Sequence, residues 1–341
     1  MWDGLMDRRA FLHPGCLFAG AQAVAEALAP AESQAEDSDV PPLVRYRRPA
    51  MGTCFEVVLP WGTPQAHAAA EAALDLIDAL EARLSIYRED SELSRLNRLA
   101  FHEEVQVSPE LFDLLELSRE ISQQTQGAFD VASGALVACW GFFRGPARVP
   151  SAQQRQDALQ RSGMRYVVLD RANRTVRYLR PGLSINLGSI GKGYALDRCA
   201  ALLQQEFGVR CALLHGGHSS VNAVGSLPGR GDGWPVGISD PRAPTRRLTL
   251  IRLKDQGLGM SAATYRHLLW RGRRLGHILD PRTGWPAQGL AGVAVVAPQA
   301  AQADALATAL FVLGDAAARR FLEHRPDLAA ILVCQDRRRC A

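Results

Sequence analysis

A chain of 341 residues has room for one large domain or two small ones, and 47% hydrophobic with 22% charged residues is the composition of a globular protein with a sizeable core. The net charge of +4 comes from basic and acidic residues scattered along the chain. No block of like charge resembles a nucleic-acid-binding arm, so nucleic acid is not expected as a partner.

Lysine occurs only at Lys192 and Lys254 and every other basic side chain is arginine, so a lysine inside a motif carries information. The cysteines, Cys16, Cys54, Cys139, Cys199, Cys211, Cys334 and Cys340, are widely spaced without a C-x-x-C pair. They read as small apolar side chains, not as a disulfide frame or a zinc site.

Residues 1–43 read as an N-terminal tail. Within it Arg8-Arg9-Ala10-Phe11-Leu12 and the Ala-rich stretch 17–29 form a degenerate twin-arginine signal, interrupted by Gln22 and Glu26. The expectation is a cytoplasmic protein, or one exported to the periplasmic side of the inner membrane. No later run of about 18 apolar residues predicts a membrane span.

Residues 44–341 read as a single α+β domain without repeats. A strand is expected over 55–60, an Ala/Leu-rich helix over 64–84, and a second helix from the Ser108 N-cap and Pro109 to near Gly127. A hairpin follows over 166–179 with its turn at 170–174, then a strand over 183–186 and a helix over about 190–205. Several strands fill 211–296, and helices over 301–313 and 316–324 precede a strand over 329–334. Strands meeting in hairpins with helices bunched between them argue against a doubly wound parallel sheet.

Three segments carry chemistry. Asn186-Leu187-Gly188-Ser189-Ile190-Gly191-Lys192-Gly193 leads from the expected strand into a helix, and such a Gly-rich turn is either a phosphate site or a tight structural turn. It satisfies neither the Walker A pattern nor G-x-G-x-x-G. His277-Ile278-Leu279-Asp280-Pro281-Arg282-Thr283-Gly284 places a histidine at a strand end before a sharp turn, as a general base or as a core histidine beside a turn held by Asp280. Asp304 and Thr308, four apart on a helix, share one face and offer hard oxygen ligands suited to Mg²⁺; alternatively Asp304 only compensates a helix dipole.

In this order, with Met51-Gly52-Thr53, the 85–97 segment around Tyr87, Ala128-Phe129-Asp130-Val131, Trp140-Gly141-Phe142 and His215-Gly216-Gly217, these segments resemble the ApbE family of FAD:protein FMN transferases. The resemblance spans roughly residues 48–313. It implies a single ApbE-like (T-fold-like) domain of mixed, largely antiparallel sheets with packed helices. It also implies Mg²⁺-dependent transfer of FMN from FAD, the flavin substrate, to a Ser or Thr of an acceptor protein, with release of AMP. Met51, Tyr87, Ala128, Phe129 and Asp130 would shape the flavin and adenosine pockets, and Asn186, Lys192 and Ile278 would meet the FAD. Ser189, through its carbonyl, with Asp304 and Thr308 would hold the metal, and His277 would activate the acceptor hydroxyl.

The sequence departs from the family pattern at Asn186 and His218, where the family usually has Asp, and at Met260-Ser261-Ala262-Ala263-Thr264. Two other functions stay open at this point: an FAD pyrophosphatase giving FMN and AMP, and a catalytically weak flavin-binding protein.

Overall fold

The structure is a computed structural model that describes residues 41–143, 145–263 and 267–335. The twin-arginine-like segment, Cys16, Cys340 and Thr264 lie outside the described residues.

Strands β1 (Leu43–Ala50) and β2 (Thr53–Pro60) form a hairpin, followed by helices α1 (Ala66–Leu84) and α2 (Glu92–Leu99). Next come β3 (Val105–Gln106), α3 (Pro109–Gln124), α4 (Gly134–Cys139) and α5 (Ala152–Gln160). The β4 (Val167–Asp170) and β5 (Thr175–Tyr178) hairpin leads to α6 (Gly191–Phe207), β6 (Ala212–Gly216) and β7 (Ser220–Val224). Strands β8 (Trp234–Asp240), β9 (Ala243–Leu253), β10 (Gln256–Ala262), β11 (His267–Trp270), β12 (Arg273–Gly276) and β13 (Leu290–Ala297) follow. The chain closes with α7 (Ala300–Leu313), α8 (Asp315–Leu322) and β14 (Ala329–Cys334).

Seven strands join in one antiparallel sheet of order β1-β2-β6-β7-β10-β13-β14. Alternation along β2 sends Phe55, Val57 and Leu59 to one face and Val58 to the other. On the first face α1, α6 and α7 bury Ala73, Ile77, Leu196, Leu203, Leu306 and Leu310 against the sheet. The β8–β9 hairpin covers the second face with Trp234, Val236 and Ile238 over Val58, Leu213, Val221 and Leu258. This hairpin is an excursion between sheet neighbours: it leaves after β7 and returns before β10, and Asp255 accepts a hydrogen bond from Gly225 N–H at 2.7 Å where the two ends meet.

Local signals start some of the helices. The Ser108 hydroxyl caps α3 by accepting from Leu111 N–H, with Pro109 in the first turn, and Ser151 with Gln154 forms a capping box on α5. Helix α6 ends at Gly208 in the left-handed conformation.

Two expectations are corrected. Residues 183–186 form no strand, because partners other than a strand take their ladder groups. The Asn97 carboxamide accepts from Ile185 N–H at 2.8 Å and donates to Ile185 C=O at 3.0 Å, while Asn186 N–H donates to Val131 C=O and Ser184 C=O accepts from Gly134 N–H. The cysteines do not behave alike either: Cys54, Cys139, Cys199 and Cys211 are free thiols, whereas Cys334 is disulfide-bonded.

Candidate active site

The Gly-rich turn is built from its own polar groups. The Asn186 side-chain oxygen accepts from Gly188 N–H at 2.9 Å, and Leu187 C=O accepts from Ile190 and Gly191 N–H, so the chain turns sharply into α6. Ser189 lies half-buried in this turn, and Lys192 is in the first turn of the helix.

Helices α6 and α7 meet closely at this point. A Cβ placed on Gly193 would lie 2.2 Å from Ala300 C=O, so only glycine allows the approach. That approach lets Gly193 N–H donate to Asp304 Oδ2 at 2.8 Å. The Ser220 hydroxyl at the start of β7 donates to the same carboxylate at 2.8 Å. Burial pushes the Asp304 carboxyl up to about 6, opposed by the Lys192 cation and by the Ser220 and Gly193 hydrogen bonds.

One turn further along α7, Thr308 Oγ1 is 3.1 Å from Ser261 Oγ on β10. A Cβ on Gly259 would come within 2.3 Å of Ala303 C, so β10 lies flush against α7. Asp197 indexes the two helices against each other: its carboxylate accepts from Ala300 and Ala301 N–H and from Asn222 Nδ2, each at 2.8 Å. It thus caps α7, and burial raises its pKa.

Lys192, Asp304 and Thr308 are therefore gathered in one place, with Ser189 in the adjoining turn. Ser220 is singled out by no motif and Ser261 only as part of the 260–264 segment that departs from the family pattern, yet both join this group through the order of the sheet. Among the described residues no three His, Cys, Asp or Glu side chains cluster as a cation cage. The donor set is one carboxylate with hydroxyls, all hard oxygen, which fits Mg²⁺ that completes its shell from phosphate and water.

His277 and Ile278 follow β12 in a second neighbourhood. The His277 ring meets Phe142 edge-on at 6.5 Å, and Phe142 stacks on Trp140 at 6.2 Å. The following turn is closed by Asp280, whose C=O accepts from Thr283 and Gly284 N–H and whose carboxylate pairs with Arg282 at 2.8 Å. Trp140 Nε1 donates to Gly284 C=O at 2.9 Å and pins the turn to the aromatic cluster. Asp280 thus has the turn-stabilising part expected of it.

Of the other positions, Asn186 and Asp130 each line a cleft. Tyr87, 57% exposed, sits 5.1 Å from Phe143 ring to ring. Phe143, Asn97 and Asn186 line a cleft of about 610 Å³. Met51 holds a positive φ of 50° in the two-residue turn between β1 and β2. Ala128 and Phe129 have their side chains buried in the interior, so neither presents a side chain to solvent. Asp130 accepts from Ala132 and Met164 N–H and lines a 440 Å³ cleft with Arg119, Arg165 and Arg282.

Two histidines of different character lie here, His215 on β6 and His218 in the turn that follows it. His215 is buried and pushed down to about 4, first by burial and against the pull of Glu56, and is neutral. His218 is exposed on the turn that carries Ser220.

The family model of the ApbE family matches residues 51–332. The FAD:protein FMN transferase of Escherichia coli (strain K12) is 32% identical over 268 residues, 76% of this chain and 75% of that protein. The protein of the same name from Treponema pallidum (strain Nichols) is 33% identical over 288 residues, 80% of this chain and 79% of its own.

Among solved structures, the ApbE protein of Thermotoga maritima superposes with a TM-score of 0.79 at 31% identity, over 86% of this chain and 94% of that one. The apo form of the Pseudomonas stutzeri flavinyl transferase ApbE gives 0.77 at 28%, over 88% and 93%. The antiparallel α+β architecture, the ordered motifs and these likenesses agree: the chain belongs to the ApbE family.

Proposed function

We propose that the protein transfers FMN from FAD to a Ser or Thr hydroxyl of an acceptor protein, releasing AMP, with Mg²⁺ as the required ion. The observation that carries this reading is the buried Asp304 carboxylate held beside Lys192 at the N-terminus of α6, with the Thr308 hydroxyl one turn on. The positive end of a helix dipole with a cation beside it suits a diphosphate, and a carboxylate with hydroxyls suits the ion that accompanies it. The relatives' name, FAD:protein FMN transferase, supplies the chemistry to which such a station belongs.

Asp304 and Thr308, with the Ser189 carbonyl, would hold Mg²⁺, which when bound neutralises charge on the diphosphate and on the departing AMP. Lys192 reinforces that neutralisation from the protein side. His277 takes the proton from the acceptor hydroxyl as its oxygen bonds to the FMN phosphorus and the bridging P–O bond to AMP breaks. The aromatic cluster of Trp140 and Phe142 fixes the imidazole by packing.

Purified protein is incubated with FAD, Mg²⁺ and an acceptor protein, and the intact acceptor mass and free AMP are measured together. An acceptor gaining one FMN less water, with one AMP per transfer, is the expected result. AMP and free FMN with an unchanged acceptor would refute transfer and identify hydrolysis; bound FAD with no product would identify a flavin-binding protein.

A further inference from the structure

The β11–β12 hairpin is a sheet to itself: among the described residues no third strand pairs with either edge. Its register sets Leu268 opposite Leu275 and Leu269 opposite Arg274, and strand alternation sends these two pairs to opposite faces. Leu275 is buried in the cluster that contains Trp140 and Leu279, with Leu268 and Trp270 packed on it, so the hairpin is seated on that cluster. The other face carries Leu269, 72% exposed.

Arg271, Arg273 and Arg274 at the tip are exposed as well, and Arg271 lies over the Trp270 ring at 4.7 Å. No carboxylate among the described residues pairs with any of the three. Strand β12 runs directly into His277, which meets Phe142 of the same aromatic cluster.

From this juxtaposition we infer that the β11–β12 hairpin is the docking element for the acceptor protein, and that it selects an extended segment bearing acidic side chains beside the acceptor hydroxyl. The inference rests on the transferase reading, since it names the partner of that same site. A free strand edge binds an extended chain through main-chain hydrogen bonds. Charge that merely protects an edge can be of either sign, whereas three cations around an exposed leucine are complementary to an anionic, partly apolar partner. Arg274 and Arg273 precede His277 by three and four residues on one strand, with Arg271 in the turn beyond, so the matching carboxylates begin about 10 Å along an extended segment from the hydroxyl.

The probe is a fluorescein-labelled peptide of about a dozen residues with one Thr and with Asp starting about three residues from it, alongside its Asp→Asn counterpart. Anisotropy titrations use wild-type protein loaded with FAD, the triple variant Arg271→Glu/Arg273→Glu/Arg274→Glu, and the milder pair Arg273→Gln/Arg274→Gln. Arg246→Glu/Arg247→Glu, on exposed positions of β9, is the control for net charge.

Wild type is expected to prefer the Asp peptide about tenfold, with the preference falling as salt rises. The triple variant should lose that preference, the milder pair should lose part of it, and both should retain wild-type FAD affinity. Equal binding of the two peptides by wild type, or an equal loss in the β9 control, overturns the inference. Transfer to the Thr is scored by mass in parallel samples with Mg²⁺ added: a wild type that prefers the Asp peptide yet yields AMP and free FMN with the peptide unchanged refutes the transferase reading and leaves the docking element standing.

Discussion

Replacing Asp304 by Asn should stabilise the metal-free protein while abolishing transfer. The carboxyl is buried and its pKa is raised from an ordinary 3.8 to about 6. A folded-state pKa above the unfolded one means that the folded chain holds the proton more tightly. Stability therefore falls as pH rises from about 4 to about 6, and the cost persists at higher pH. Two pH units or so correspond to about 3 kcal/mol at pH 8, of which about 2 kcal/mol is relieved by pH 4.5.

Asn carries no such charge, and its oxygen can still accept from Gly193 N–H while its amide faces the Ser220 hydroxyl. Allowing for an imperfect fit, a net gain of about 1 to 2 kcal/mol is expected, a rise in Tm of roughly 2 to 8 °C for a domain of this size. The assay is thermal unfolding of both proteins in EDTA at pH 8 and pH 4.5, with single-turnover transfer measured at pH 8 in Mg²⁺. An Asp304→Asn variant with an unchanged or lower Tm at pH 8, or with the same advantage at both pH values, would refute the claim that a desolvated carboxylate sits there at a cost that the cation offsets.

Three other substitutions address the rest of the site. His277→Ala should lower transfer ~10²–10⁴-fold with FAD affinity and Tm nearly unchanged, because the general base proposed here would act on the hydroxyl in the transition state; a parallel loss of affinity and Tm would make it structural. Lys192→Ala should weaken FAD more than riboflavin, read by paired fluorescence titrations, if its cation meets the diphosphate as proposed; equal losses would contradict that placement. Gly193→Ala should cost ~1–3 kcal/mol or more in denaturant unfolding, because the added carbon meets Ala300 C=O at 2.2 Å, and a wild-type midpoint would show that α6 and α7 can separate there freely.

Features whose signals are local were legible in the sequence. Ser108-Pro109 announces α3 because cap and first turn are neighbours in the chain, and the 167–178 hairpin is announced by its polar turn. Strand β1 is harder to read, since Arg45, Arg47 and Arg48 break its apolar pattern and find their partners in Glu56, Glu71 and Asp75 of the next elements. The 183–186 segment reads as a strand, and only the fold reveals that an asparagine 88 residues away in sequence from Ile185 takes its ladder bonds.

The site divides in the same way. Lys192, Asp304 and Thr308 stand inside motifs, whereas Ser220 lies 84 residues from Asp304, and Ser261 lies 47 from Thr308. Their part in the site follows from β7 and β10 lying side by side under α7, which no local pattern encodes.

The β8–β9 excursion has a consequence for how this domain can be rebuilt. Because its two ends meet at Gly225 and Asp255 between adjacent sheet strands, it can be cut or replaced without asking β7 and β10 to change register. It covers the sheet face opposite α6 and α7, so new termini placed in the β8–β9 turn, or a longer graft there, leave Lys192, Asp304 and Thr308 undisturbed. Deleting it outright would bare Val58, Leu213, Val221 and Leu258 to water, so any shortened version must exchange those four for polar side chains to remain soluble.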